Sequence, residues 1–140
     1  PKRYLLVATG TGVTPYRAML PELANRIKQH NLEVVILLGV KSRADLLYAK
    51  DFIQYETEFE NFHFRAHYSR QFPEDPKLYE HQGYVQTALP QLNLDPQQDV
   101  IYLCGNPKMI DDAFEVLKKE GFDALNVRRE KYVSSPTPKN

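Results

Sequence analysis

The feature that most constrains the fold is the alternation of short apolar runs with segments of helical periodicity. Three runs, residues 4–8, 34–38 and 100–103, are almost entirely apolar. Strands covered by helices on both faces have this composition. Alternating strand and helix patterns indicate strand–helix–strand units, which build a parallel sheet. We therefore predict an α/β fold, a three-layer doubly wound sheet of about five parallel strands.

The outer strands of this sheet have mixed composition. Residues 62–68 alternate apolar side chains with His63, Arg65 and His67, which is typical of an edge strand with one wet face. Residues 125–133 are also mixed, and we interpret them as the opposite edge. His63 and His67 stand four apart, which in a strand spans about 13 Å. We therefore predict two side chains on a solvated face and no metal site.

Two helices have recognisable ends. Thr14 is the predicted N-cap of the first, with Pro15 as its first helical residue. Asn106 and Pro107 open the second, and Gly121 follows it as a stop. Shorter helices are predicted over residues 49–58 and 84–89.

Composition excludes several functional classes. The 140 residues include 18 basic and 18 acidic side chains, so no overall charge attracts nucleic acid or a membrane surface. No apolar stretch approaches the roughly 18 residues that cross a bilayer, and no signal peptide is visible, so we expect a cytoplasmic protein. The single cysteine, Cys104, excludes an internal disulfide and a cysteine-rich iron–sulfur or zinc site.

The chain is predicted to be one domain with a short tail. Its apolar pattern is already under way at Tyr4, and its first residue is Pro1 rather than methionine. We therefore expect a domain of a longer protein. The predicted boundaries are residues 1–133 for the domain and 134–140 for a polar tail.

The first strand ends in a glycine turn, with the sequence GTGVTP. Gly10 and Gly12 allow a tight turn and a close approach of the backbone to a ligand. Free N–H groups at the start of the next helix favour an anion, and Arg17 in the first helical turn opposes the helix dipole unless an anion compensates. Because the lysine of a triphosphate-binding loop is absent, we predict a diphosphate. The alternative is a turn that merely joins strand to helix.

The end of the strand near residue 103 carries the sequence YLCGNPKM. Cys104 is either a small buried thiol that packs well or a group placed beside the reaction centre. A nucleophilic thiol needs a base, and no histidine lies nearby in sequence. We therefore predict that Cys104 is a wall of the pocket.

A third strand end carries Ser69 and Arg70, followed by Tyr84. A hydroxyl and a guanidinium suit a phosphate, and a tyrosine ring offers a face on which a base stacks. The alternative is that each is an ordinary surface residue.

With these segments in view, the chain resembles the nucleotide-binding half of the ferredoxin–NADP reductase superfamily over nearly its whole length. The matching stretches are GTGVTPYR, LLGVKSRADLLYAKDF, YSRQ, GYVQ, CGNPKM and VRREKYV. Thr14 departs mildly, since alanine is frequent at its position. The resemblance places Cys104, Glu130 and Tyr132 near the reacting nicotinamide and flavin. It implies that the following residues bind the nucleotide: Gly10, Thr11, Gly12, Val13, Thr14, Pro15, Arg17, Ser69, Arg70, Tyr84, Gln86, Gly105, Asn106 and Met109.

The resemblance also implies a division of labour. An N-terminal β-barrel of the parent protein would bind FAD, and this domain would bring NADPH to it. Hydride would pass between nicotinamide and flavin, and electrons would continue to a ferredoxin, flavodoxin or oxygenase. Alone, this domain is expected to bind nucleotide weakly and to catalyse nothing.

The resemblance favours NADP over NAD. Ser69 and Arg70 match the pair that holds the 2′-phosphate, and no acidic residue replaces them. Gln82 stands where plant-type members carry a lysine, so NAD stays possible. The alternatives are an NADH-dependent reductase component of a bacterial oxygenase, a non-catalytic nucleotide sensor, and a domain for another phosphorylated ligand.

Overall fold

The computed structural model describes residues 1–132. Six strands are present: β1 (Arg3–Thr9), β2 (Glu33–Val40), β3 (Phe62–Tyr68), β4 (Glu80–Gln82), β5 (Asp99–Gly105) and β6 (Val127–Lys131). The α-helices are α1 (Thr14–His30), α2 (Ala49–Glu58) and α3 (Pro107–Lys119). Short 3₁₀ helices cover Gly10–Val13, Arg43–Asp45 and Val85–Leu92.

The strands form one sheet in the order β4-β3-β2-β1-β5-β6, and every neighbouring pair is parallel. The predicted α/β fold with a doubly wound parallel sheet is confirmed. The strand order reverses between β1 and β5, whose carboxyl ends therefore flank the crevice where such sheets bind ligands.

The structure corrects the prediction for β3. It is not an edge strand, because β4 pairs with it from Glu80 to Gln82 on its outer side. The prediction that His67 lies on a solvated face is also wrong, because this residue is only 5% exposed. The 3₁₀ helix Val85–Leu92 packs near β3 on that face.

Helices cover both faces of the sheet and create two apolar cores. On one face, residues such as Leu6 and Ile36 pack against α1 and α2. On the other, residues such as Leu5 and Leu37 pack against α3 and the 3₁₀ helix Val85–Leu92. All four leucine and isoleucine side chains are fully buried, which explains why residues 4–8 and 34–38 of the central strands are apolar throughout.

The ends of α3 follow the prediction. Asn106 is its N-cap, and its side-chain oxygen accepts hydrogen bonds from the backbone N–H groups of Lys108 and Met109. Gly121 lies just beyond the helix with φ +96°, a conformation that favours glycine. The helix over residues 49–58 is also confirmed, as α2.

Other predicted ends are wrong by a few residues. Thr14 is the first residue of α1 rather than its N-cap, because the 3₁₀ turn Gly10–Val13 precedes it and its N–H donates to the Thr11 carbonyl. The helix predicted over residues 84–89 is the 3₁₀ helix Val85–Leu92, with Pro90 inside it.

The last strand is confirmed as an edge but is shorter than predicted, and residues 133–140 lie outside the described part. Across residues 1–132, no helix combines the length and apolar character needed to span a bilayer.

Candidate functional site

The carboxyl edge of the sheet carries an open cleft with a volume of about 1250 Å³. It extends across the ends of β1, β2, β3 and β5, so it includes the point where the strand order reverses. The Gly10 turn and Cys104 belong to the same edge, as predicted, because Ala8 pairs with Cys104 in neighbouring strands. An extended ligand therefore has room to contact all three predicted segments.

The two glycines after β1 have different surroundings. Gly10 and Thr11 line the cleft, and no heavy atom lies within 4 Å of the position of a Cβ on Gly10. Gly12 is buried behind them, where a Cβ would overlap the Cys104 carbonyl and lie 2.8 Å from Gly105 Cα. Val13 is also buried, within the core. Gly12 thus allows close packing of the turn on β5, while Gly10 keeps space open for a ligand.

The beginning of α1 lies outside this cleft. Thr14 and Arg17 line a separate, smaller cleft of about 420 Å³ between α1 and α2, and Pro15 lines neither. Arg17 Nε donates to Asp51 Oδ2 at 2.8 Å, and its guanidinium lies 4.5 Å from the centre of the Tyr48 ring. Asp51 therefore supplies the charge that compensates Arg17. A nucleotide-binding role for Arg17 stays a prediction.

The ends of β2 and β3 bring Lys41 beside the serine–arginine pair. The N–H of Ser69 donates to the Val40 carbonyl at 3.0 Å, and that of Arg70 donates to the Lys41 carbonyl at 3.1 Å. Lys41 and Arg70 are exposed, line the cleft with Ser69, and form no ion pair with any residue among 1–132. The sequence analysis missed Lys41, whose only signal is its place directly after a buried strand. Two available cations beside a hydroxyl form a suitable phosphate site.

Tyr84 stands at the rim of the cleft. It is 61% exposed and follows Gly83, which has φ +113°. The amide of Gln86 donates to Asp112 Oδ2 at 3.4 Å, and Lys108 Nζ lies 3.3 Å from the same oxygen. Lys108 and Asp112 also line the cleft, and the sequence analysis did not select either of them.

The end of β5 closes tightly against β1. The N–H of Asn106 donates to Thr9 Oγ1 at 2.8 Å across the reversal point. Gly105 has φ +137°, and a Cβ there would lie 2.9 Å from the Thr9 backbone nitrogen. Gly105, Asn106 and the buried Met109 all line the cleft, as does Thr9, which the sequence analysis did not select.

Cys104 lies beneath the cleft rather than on its surface. It is 4% exposed, and burial raises the pKa of its thiol. Tyr132 packs against the same core cluster as Cys104, lines the cleft and has a pKa raised by burial. Glu130 is exposed on β6, opposite Cys104 in the strand register. A thiol with a raised pKa is a poor nucleophile at neutral pH. The role of Cys104 as a wall of the pocket stays a prediction.

His67 lines the cleft without adding charge to it. Burial, followed by the neighbouring His81, lowers the pKa of His67 to about 4. The two imidazole rings stack with centroids 5.2 Å apart, and the Nε2 atoms of both have no hydrogen-bond partner within the described part of the chain. The positive charge of the cleft at neutral pH therefore comes from Lys41, Arg70 and Lys108.

Comparison with known proteins gives a family match and several relatives. The family model for the oxidoreductase NAD-binding domain matches residues 6–115. The electron transfer component of toluate 1,2-dioxygenase from Pseudomonas putida is 29% identical over 94% of this chain. That of anthranilate 1,2-dioxygenase from Acinetobacter baylyi is 26% identical over 96%. The chain spans 37% and 38% of the lengths of these two relatives.

Solved structures show the same fold. A ferredoxin NADP⁺ reductase from Neisseria gonorrhoeae, with bound FAD and NADP, superposes with a TM-score of 0.77 at 20% identity. The match covers 93% of this chain and 56% of that one. An Amycolatopsis cytochrome P450 reductase superposes with a TM-score of 0.76 at 22% identity, over 96% of this chain and 38% of the other.

Proposed function

Since the chain belongs to the oxidoreductase NAD-binding domain family, within the ferredoxin–NADP reductase-like proteins, we propose that it is the NADPH-binding half of an FAD-dependent reductase. Its role would be to hold the nucleotide along the carboxyl edge of the sheet and present the nicotinamide to a flavin. The flavin would be bound by a domain outside this chain. Electrons would then pass to a ferredoxin, a flavodoxin or an oxygenase.

The observation that carries this proposal is the position of two exposed cationic residues, Lys41 and Arg70, beside Ser69 at the cleft. Arg70 and Lys41 flank Ser69 at the cleft and have no ion-pair partner in residues 1–132. A 2′-phosphate would neutralise both and accept hydrogen bonds from all three side chains. Free ribose hydroxyls would leave the two charges without a partner, so this geometry favours NADP over NAD.

The other parts of the cleft fit the rest of a dinucleotide. The open space above Gly10 and the N–H groups of its turn suit a diphosphate. The exposed ring of Tyr84 is available to stack on adenine, with Gln86 beside it. When bound, NADPH supplies the hydride, and the chain supplies binding and orientation. Cys104, Glu130 and Tyr132 would define the nicotinamide end.

A second candidate is the NADH-dependent reductase component of a bacterial oxygenase. It is favoured by the relatives from toluate and anthranilate dioxygenases, which are named as electron transfer components. It requires that Arg70 and Lys41 contribute little to nucleotide choice. A non-catalytic nucleotide-binding module stays the alternative from another class.

Arg70→Ala tests the proposal. Loss of a charge-assisted hydrogen bond should weaken binding of 2′,5′-ADP by about 10- to 100-fold, while binding of 5′-AMP changes less than about twofold. Isothermal titration of the chain with each nucleotide measures both affinities. Arg65→Ala removes the same charge from β3 outside the cleft, and it should leave both affinities unchanged. Equal losses for the two nucleotides in Arg70→Ala would exclude the phosphate assignment.

A further inference from the structure

A buried carboxylate ties together the two loops that carry the proposed phosphate site. Glu80, the first residue of β4, has a side chain with no exposed area. It accepts hydrogen bonds from Arg43 Nε at 2.7 Å, from the Tyr68 hydroxyl and from the Lys77 backbone N–H at 2.9 Å. Arg43 reaches it with both Nε and Nη2, so the pair is bidentate.

The two side chains that donate to Glu80 belong to segments that lead into the cleft. Arg43 lies two residues after Lys41, in the turn that follows β2. Tyr68 is the last residue of β3 and directly precedes Ser69. Arg43 also donates to the Asp75 carbonyl at 3.2 Å and lies 3.6 Å from the Asp75 carboxylate, in the loop that follows Arg70.

We propose that Glu80 is a positioning residue that fixes Lys41, Ser69 and Arg70 in the arrangement that binds the 2′-phosphate. This inference rests on the proposed function. Glu80 does not line the cleft, so it acts through Arg43 and Tyr68. The long side chains of Lys41 and Arg70 lose conformational freedom when they converge on one phosphate. If the backbone of both loops is already held in place, binding does not also have to order the loops, and the affinity of the site is higher.

The amino edge of the sheet offers a matched control. Asp99 is 5% exposed and accepts a bidentate pair of hydrogen bonds from Arg3 and one from the Asp95 N–H. Its chemistry therefore reproduces that of Glu80 at the first residue of β5, which lies at the opposite end of the strands from the cleft. A general loss of stability should be similar in Glu80→Gln and Asp99→Asn.

The test compares the wild-type chain, Glu80→Gln and Asp99→Asn in titrations with 2′,5′-ADP and 5′-AMP, with thermal unfolding of each. We expect Glu80→Gln to bind 2′,5′-ADP about tenfold more weakly, a typical cost of losing an orienting partner. Its affinity for 5′-AMP should change less than about twofold, and Asp99→Asn should keep both affinities. Tyr68→Phe removes one hydrogen bond to Glu80 and should lose less affinity for 2′,5′-ADP than Glu80→Gln does. If Glu80→Gln does not fold, Tyr68→Phe decides between the outcomes.

Other results overturn the inference. In one such result, Arg70→Ala loses the 2′,5′-ADP binding of wild type, whereas Glu80→Gln and Tyr68→Phe both bind it like wild type. The positioning role of Glu80 is then wrong, and the proposed function stands. If Asp99→Asn loses as much selectivity as Glu80→Gln, the effect is general destabilisation. If wild type binds neither nucleotide, both proposals fall.

Discussion

Gly10 and Gly12 stand two residues apart in one turn, yet only their neighbours reveal what each does. The sequence alone gives both glycines the same role, a tight turn and a close approach of the backbone to a ligand. In the structure only Gly10, with φ +52°, borders the cleft, whereas Gly12 packs on the backbone of Cys104 and Gly105. The difference depends on which strand lies beside β1, and no local pattern contains that information.

This difference predicts unequal effects of alanine at the two positions. Gly12→Ala should lower the free energy of unfolding by about 3 kcal/mol, because backbone must shift to admit the methyl group. Gly10→Ala should lower it by about 1 kcal/mol, the cost of a left-handed conformation with no collision. Urea unfolding of both variants measures these values. A loss in Gly10→Ala equal to or greater than that in Gly12→Ala would contradict the packing role of Gly12.

At the scale of elements, β4 and α3 mark the limits of what the sequence predicts. The ends of α3 are encoded locally, by Asn106 with Pro107 at its start and Gly121 after it. Strand β4 has three polar residues and no apolar periodicity. It is held by pairing with β3 and by the contacts of Glu80, both of which depend on the assembled sheet. The edge assignment of β3 was therefore wrong.

The attachment of β4 predicts a loss of stability in acid. Hydrogen bonding to Arg43 lowers the pKa of Glu80 from 4.5 to about 2. Because the folded chain binds fewer protons than the unfolded chain between these values, the contribution of Glu80 is complete above pH 4.5 and is lost as the pH falls through about 2.

Unfolding free energies of wild type and Glu80→Gln measured from pH 6 to pH 2 test this prediction. The difference between the two proteins should be constant above pH 4.5 and shrink toward pH 2. The low pKa of His67 affects both proteins and cancels in the difference. Parallel curves over the whole range would show that Glu80 is not held as an ionised carboxylate.

For the whole molecule, one topological rule predicts most of the site. Parallel strands place all their carboxyl ends on one edge, so Gly10, Ser69 and Asn106 were expected to border one cleft although they are far apart in sequence, and they do. The rule does not predict the direction of a side chain on a helix that follows a strand. Arg17, on α1, was predicted to bind the nucleotide but donates to Asp51 on α2. Lys41 directly follows β2 and so obeys the rule, but its contact with the serine–arginine loop through its backbone has no signal in the sequence. The choice of nucleotide depends on such details and stays a proposal.

The central claim is that this cleft binds a dinucleotide across the end of the sheet. Backbone amide resonances of the chain, followed during a titration with NADP⁺, test it most directly. The account predicts saturable shifts at the ends of β1, β2, β3 and β5, including the amides of Thr11, Ser69, Tyr84 and Asn106, and none at the amino edge near Asp99. Shifts confined to the smaller cleft between α1 and α2, or no saturable shift at the carboxyl edge, would contradict it.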